Sequence, residues 1–294
     1  MKIAVQFFGH LRDFENCYKN FKKNILDRYD SDVFIHTWDM KDHNTKSWNS
    51  RNLKQKQVDS LLINKIKNLY NPKKLIVEKQ KPIDSVTIPY LLNDKISFST
   101  ETMEYMFYSM NISNQMRKKY SLDNEIFYDY ILVLRPDIDI ISIFDIDSYV
   151  MQAELMNMDV EKCRFFPTRN VTASNDVKLL INQPNDLFFF GKPKLIDTYI
   201  ASNLSIDSKY AKDHAISIVS IYTSIEIKND IIPVPIAYNL GNDWTFMGYR
   251  IISGVKNRNW GIFKKILGYA FFVFFYPLRT VYKYLEKKYP WMLK

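Results

Sequence analysis

Residues 2–8, Lys-Ile-Ala-Val-Gln-Phe-Phe, make an apolar run of strand length that stops at Gly9, and residues 32–38, Asp-Val-Phe-Ile-His-Thr-Trp, make a second. Between them Phe14, Tyr18, Phe21, Ile25 and Leu26 recur at helical spacing, with Lys and Asn on the other face. A strand, a helix and a strand in this order form a crossover unit, which lays the two strands parallel in one sheet. Parallel sheets bury both faces, so helices must cover them. The opening therefore predicts an α/β fold with a mixed, mostly parallel sheet flanked by helices.

The rest of the chain extends that pattern. Residues 39–57 are polar and aperiodic and read as a long loop after the second strand. Residues 61–69 read as a helix, 74–78 as a third strand and 79–94 as irregular chain. Over residues 100–120, Met103, Met106, Phe107, Met110, Ile112 and Met116 mark a helix with one apolar face. Methionines so spaced fill a core rather than hold a cofactor. Residues 129–134, Asp-Tyr-Ile-Leu-Val-Leu, are a buried strand closed by Arg135-Pro136. Residues 185–191, Asn-Asp-Leu-Phe-Phe-Phe-Gly, are another, followed by a helix from about Leu195 and one opening at Asp213-His214.

Composition removes several function classes. At 47% hydrophobic and 25% charged, the 294 residues can bury a sizeable core. Cys17 and Cys163 are the only cysteines and have no CxxC pattern, which excludes a disulfide framework and a structural zinc site. There are seven glycines and no Gly-x-Gly-x-x-Gly, Walker A, His-Glu-x-x-His or Gly-x-Ser-x-Gly pattern. Any bound phosphate must then be met by Arg, Lys or a metal ion rather than by a glycine-rich cradle. The first apolar run is too short for a signal peptide, so the chain is expected in the reducing cytoplasm.

Arg135-Pro136-Asp137-Ile138-Asp139 follows the buried strand at the carboxyl edge of the sheet, where α/β folds bind ligands. Two carboxylates separated by one residue suit a hard divalent cation, Mn²⁺ or Mg²⁺, bridging Asp137 and Asp139 to a diphosphate. Arg135 and the cation would together neutralise charge on a departing nucleoside diphosphate. The competing reading is that both carboxylates cap a turn, and Asp145 and Asp147 repeat the same short pattern nearby.

Four segments in order carry a family resemblance: Phe7-Phe8-Gly9-His10-Leu11-Arg12, Asp32-Val33-Phe34-Ile35-His36-Thr37-Trp38-Asp39, Tyr128-Asp129-Tyr130 through Arg135-Pro136-Asp137, and Asn185-Asp186-Leu187-Phe188-Phe189-Phe190-Gly191. Together they resemble bacterial capsule and lipopolysaccharide O-antigen glycosyltransferases over about the first 230 residues. The resemblance implies a GT-A-like, Rossmann-type fold, a nucleotide-diphosphate sugar donor and a growing lipid-linked glycan as acceptor. In that family the first Asp of Arg-Pro-Asp is the steadier feature, so Asp137 carries more weight than Asp139. Gly9 and Arg12 would meet the donor nucleotide, Arg12 pairing with phosphate or stacking on the base, unless it is a solvated turn arginine. His36, with Trp38 and Asp39, would lie within reach of base or ribose, or be a satisfied strand-end histidine. Inverting transfer needs a carboxylate to take the acceptor's proton. Asp213 is the first choice, against a plain helix-start role, and Asp186 the second. Asp243, Trp244 and Arg250 form a late cluster that would close over donor or acceptor.

Charge separates the chain into two regions. Residues 256–294 hold nine basic residues against Glu286, a net of +8. Removing those nine and one from the chain's 41 basic and 32 acidic residues leaves 32 against 31. A nearly neutral body argues against a nucleic-acid partner. Within the tail, residues 266–278 form an uncharged run of 13 between Lys264-Lys265 and Arg279, with Trp260, Tyr269, Tyr276 and Trp291 around it. That run is shorter than a spanning helix and suits an amphipathic helical tail on an anionic membrane, or else a helix docked on the body. The expected organisation is a catalytic domain over 1–255 and a membrane-docking tail over 256–294, attached peripherally to the inner face of the bacterial plasma membrane. A phosphosugar or phosphoryl transferase acting on a lipid-linked glycan, and a non-catalytic membrane scaffold, are the rival readings.

Overall fold

The computed structural model describes residues 1–12, 14–42, 57–80, 87–90, 93–140, 143–167, 188–203 and 225–236. All of them lie in the first of two compact units, Met1–Phe246; the second is Met247–Lys294. The chain opens with β1 (Lys2–Phe7), α1 (Phe14–Phe21) and β2 (Asp30–Trp38), then α2 (Ser60–Tyr70) and β3 (Lys74–Glu78). A hairpin of β4 (Thr87–Tyr90) and β5 (Asn93–Ser99) leads into the long α3 (Thr100–Asp123). β6 (Tyr130–Leu134), α4 (Ile146–Leu155), β7 (Cys163–Pro167), β8 (Phe188–Gly191), α5 (Pro193–Asn203) and β9 (Ile232–Ile236) complete it.

Seven strands form one sheet in the order β3-β2-β1-β6-β8-β7-β9. Every pairing is parallel except those of β8, which runs against both β6 and β7. The expected mixed, mostly parallel α/β sheet is what the chain builds. Alternation along each strand sends side chains to two cores. Ile3, Val5 and Phe7 of β1, with Leu132 and Leu134 of β6, pack under Phe14 and Phe21 of α1, Leu62, Ile66 and Tyr70 of α2, and Ile146 of α4. Ala4 and Phe8, with Ile131 and Val133, pack under Phe107 and Met110 of α3 and Ile196 and Tyr199 of α5.

Local chemistry sets the element ends. Asp59 caps α2 by accepting from the Leu62 N–H at 2.8 Å, and Asn71, at φ 42°, closes it through its N–H on Lys67 O. Asp145 caps α4 through the Ser148 N–H and Oγ, so the Asp145/Asp147 pair belongs to a helix start. The helix expected over 14–29 is α-helical only to Phe21 and ends in a π turn, Lys22–Leu26.

Residues 79–94 are not wholly irregular, since they contain β4 and the start of β5. Pro89 hid the strand; in a two-stranded ribbon a proline needs no partner on its open side. The helix at Asp213-His214, the tail over 256–294 and the domain boundary at 255 lie outside the described residues. Among the described residues, no helix is long and apolar enough to cross a membrane.

Candidate functional site

The chain leaves β1 toward β2 and β3, and leaves β6 toward the opposite side of the sheet. Such a reversal opens a crevice outside the carboxyl ends of the two strands. At that edge the turn after β1, residues 9–12, and the turn after β6, residues 135–137, stand as two walls that meet through Arg12 Nη1 and Asp137 Oδ2, 3.3 Å apart.

The first wall is tied on three sides. The Phe8 N–H donates to Leu134 O at 3.2 Å, the Gly9 N–H to Ser109 Oγ at 2.7 Å, and the Arg12 N–H to Lys41 O at 2.9 Å. His10 Nδ1 lies 2.8 Å from Met40 O. Gly9 has φ +83°, which glycine adopts freely. Arg12 has φ +43°, an uncommon conformation for an arginine that its surroundings must hold. The result aims its side chain across the crevice: Nε donates to Asp42 Oδ1 at 2.9 Å and Nη1 to Asp137 Oδ2 at 3.3 Å.

On the second wall Arg135 grips the same carboxylate with its fork, Nε donating to Asp137 Oδ1 at 2.8 Å and Nη2 to Oδ2. The side chains of Arg12 and Arg135 are 17% and 13% exposed, and that of Asp137 is 5% exposed. Two shielded guanidiniums thus converge on one carboxylate, with Asp42 beside them. The two guanidiniums and two carboxylates cancel in formal charge, and shielding strengthens their mutual attraction, which fixes the guanidinium positions.

Asp139 belongs to a different environment. Its Oδ1 accepts from Asn20 Nδ2 on α1 at 2.8 Å, and Asn24 Nδ2 donates to Ile140 O at 2.5 Å. Ile138 and Ile140 are anchored in the core beneath α1. Burial raises the Asp139 pKa, partly offset by the Asn20 bond. A cation shared by Asp137 and Asp139 does not fit this donor set. Guanidinium hydrogens occupy both oxygens of Asp137, and Asp139 is bonded to α1. Among the described residues, no three His, Cys, Asp or Glu side chains cluster as ligands.

His36 is fully buried rather than facing the crevice. Its Nδ1 is 2.6 Å from Ser109 Oγ, its Nε2 3.4 Å from Glu78 Oε2, and its ring meets Trp38 edge-on at 4.9 Å. Burial depresses its pKa to about 4, against the opposing pull of Glu78, so the ring is neutral near pH 7. Trp38 stacks on Tyr108 at 5.7 Å, and Tyr108 Oη donates to Glu78 Oε2 at 2.9 Å.

Ser109 escaped the sequence reading because it lies within the methionine-rich helix. The available signal was its spacing: Ser109, Ser113 and Arg117 recur every four residues, and all three are buried. Gln6 and Asn114 extend this polar stripe under the sheet. Gln6 Nε2 donates to Asn114 Oδ1 at 2.9 Å, and Asn114 Nδ2 to Asp197 Oδ1 at 2.9 Å. Gly9, Arg12, Arg135 and Asp137 are brought together. Asp186, Asp213, Asp243, Trp244 and Arg250 lie outside the described residues. A scan against protein-family models and a search of curated proteins each find no match to the chain.

Proposed function

We propose that this chain is a GT-A-like glycosyltransferase moving a sugar from a nucleotide-diphosphate donor to a lipid-linked surface-polysaccharide acceptor. The observation that carries the reading is the convergence of Arg12 and Arg135 on Asp137 at the switch-point crevice. A sugar diphosphate brings two negative charges, and its departure concentrates charge on the leaving phosphate. Preorganised guanidiniums stabilise that charge without reorganising at the moment of reaction. Asp137 holds both of them in place beforehand, and its carboxylate keeps the pair from repelling each other. The backbone turn at Gly9 lets the chain approach the ligand closely.

The carboxylate that takes the acceptor's proton is assigned to Asp213, with Asp186 second, from the sequence alone. The basic, aromatic segment 256–294 would bring the enzyme to the bilayer that carries its acceptor. The body, at net +1, needs no nucleic-acid partner.

The test is a thermal-shift and transfer screen of UDP-, GDP- and dTDP-sugars with lipid-linked acceptor, each with Mn²⁺ or with a chelator. A donor should raise the melting midpoint by several degrees and release nucleoside diphosphate on transfer. Release of nucleoside monophosphate would instead make the chain a phosphosugar transferase. Liposome binding with no response to any nucleotide would make it a membrane scaffold.

A further inference from the structure

We infer that Ser109 is a positioning residue of the donor site: its buried hydroxyl fixes the Gly9–Arg12 turn and through it the aim of the Arg12 guanidinium. This deepens the glycosyltransferase reading and rests on it for the identity of the ligand.

The hydrogens along the network can be assigned. Glu78 presents a carboxylate, an acceptor, to His36 Nε2. The ring is neutral near pH 7, so its single hydrogen sits on Nε2 and its Nδ1 is an acceptor. Ser109 must therefore donate its hydrogen to Nδ1, at 2.6 Å. That leaves the oxygen lone pairs for the Gly9 N–H, at 2.7 Å. The donors run one way, from Gly9 through Ser109 and His36 to Glu78, where Tyr108 Oη also donates.

These bonds anchor the crevice loop to two elements beneath it: β2, which carries His36, and α3, which carries Ser109. The fully buried Ser109 hydroxyl has no freedom to turn elsewhere while the imidazole accepts its hydrogen. Gly9, at φ +83°, donates its amide to Ser109 on α3, and the turn that follows tucks Leu11 into the core before reaching Arg12. There Arg12 is held in a left-handed conformation by Lys41 O, its side chain reaching Asp137. Without the serine acceptor the Gly9 amide would have no described partner, and the turn would relax toward conformations in which Arg12 no longer faces Arg135.

The experiment uses the full-length chain and its Ser109→Ala and Ser109→Cys variants, with UDP, GDP and dTDP each titrated calorimetrically. Exchange of the Gly9 amide is followed by NMR. Ser109→Ala should weaken the nucleotide that wild type binds by about tenfold and speed Gly9 exchange by at least about tenfold, with β6 amides unchanged. Ser109→Cys, a weaker acceptor, should fall between. Wild-type affinity in a folded Ser109→Ala overturns the inference. Should that variant fail to fold, wild-type affinity in Ser109→Cys overturns it. If wild type binds none of the three nucleotides, the donor-site reading fails. Gly9 exchange then decides alone, and unchanged protection in the variants overturns the positioning role.

Discussion

Asp137 accepts hydrogen bonds from two arginines while Asp139, two residues on, accepts from Asn20, so the two carboxylates should respond differently to substitution. Asp137→Ala leaves two shielded guanidiniums facing each other, so transfer should fall about 100-fold and stability by up to about 3 kcal/mol. Asp139→Asn keeps an oxygen for Asn20, and kcat/KM should stay within about threefold of wild type. Steady-state assays on both variants check the pair; comparable large losses in each would restore a shared metal site. His36 sets a pH dependence of stability. Its folded pKa, about 4, lies below its ordinary 6.5, so the unfolded chain binds protons first as pH falls. Stability is full above about pH 6.5 and declines toward pH 4, by about 3 kcal/mol across that window. Urea unfolding at a series of pH values should show the slope, and His36→Gln should flatten it. Gly9, Arg12, Arg135 and Asp137 were legible in the sequence because each lies within five residues of the end of an apolar strand. Ser109 was not, since it meets Gly9 across 100 residues of chain and only the packing of α3 on the sheet brings them together.

Among the elements, β1, β2 and β6 were legible from their buried apolar runs, β3, partly exposed along its length, from Leu75-Ile76-Val77, and α2 over 61–69, one residue short at each end. β7 and β9 were not. β7 carries Arg164 as its second residue, fully buried, with Nε donating to Glu226 Oε1 at 2.9 Å and its guanidinium over the rings of Phe166, Phe189 and Tyr199. A charge in a strand argues against burial until its partner is known, and Glu226 lies 62 residues away. Glu226→Ala should therefore destabilise by about 3–5 kcal/mol in denaturant melts, the cost of a buried charge left unpaired. At the end of β8, a Cβ on Gly191 would come within 3.0 Å of Leu195 Cδ2 and 3.1 Å of Cys163 O. Gly191→Ala should cost about 1–3 kcal/mol by overpacking β8 against α5 and β7.

For the molecule as a whole, the α/β class followed from the first 38 residues, because one crossover unit already demands a two-faced sheet. The reversed strand β8 did not follow, since an apolar run has no direction until its neighbours are placed. Charge predicts a separation of roles: a chain ending at residue 255 should lose binding to anionic vesicles in sedimentation assays yet keep its nucleotide affinity, because 32 basic and 31 acidic residues remain. Equal vesicle binding by both lengths would move the membrane contact into the body. β9, meanwhile, is the last strand on its side of the described sheet, and it carries Pro233 and Pro235. Prolines two residues apart lose their N–H groups on the same side of a strand. β9 pairs with β7 in full register, so the missing donors fall on the outer side. A partly folded copy that meets this edge finds carbonyl acceptors at Pro233 and Pro235 but no N–H donors, so only a weakened ladder can form, which discourages runaway self-association while the chain is being made.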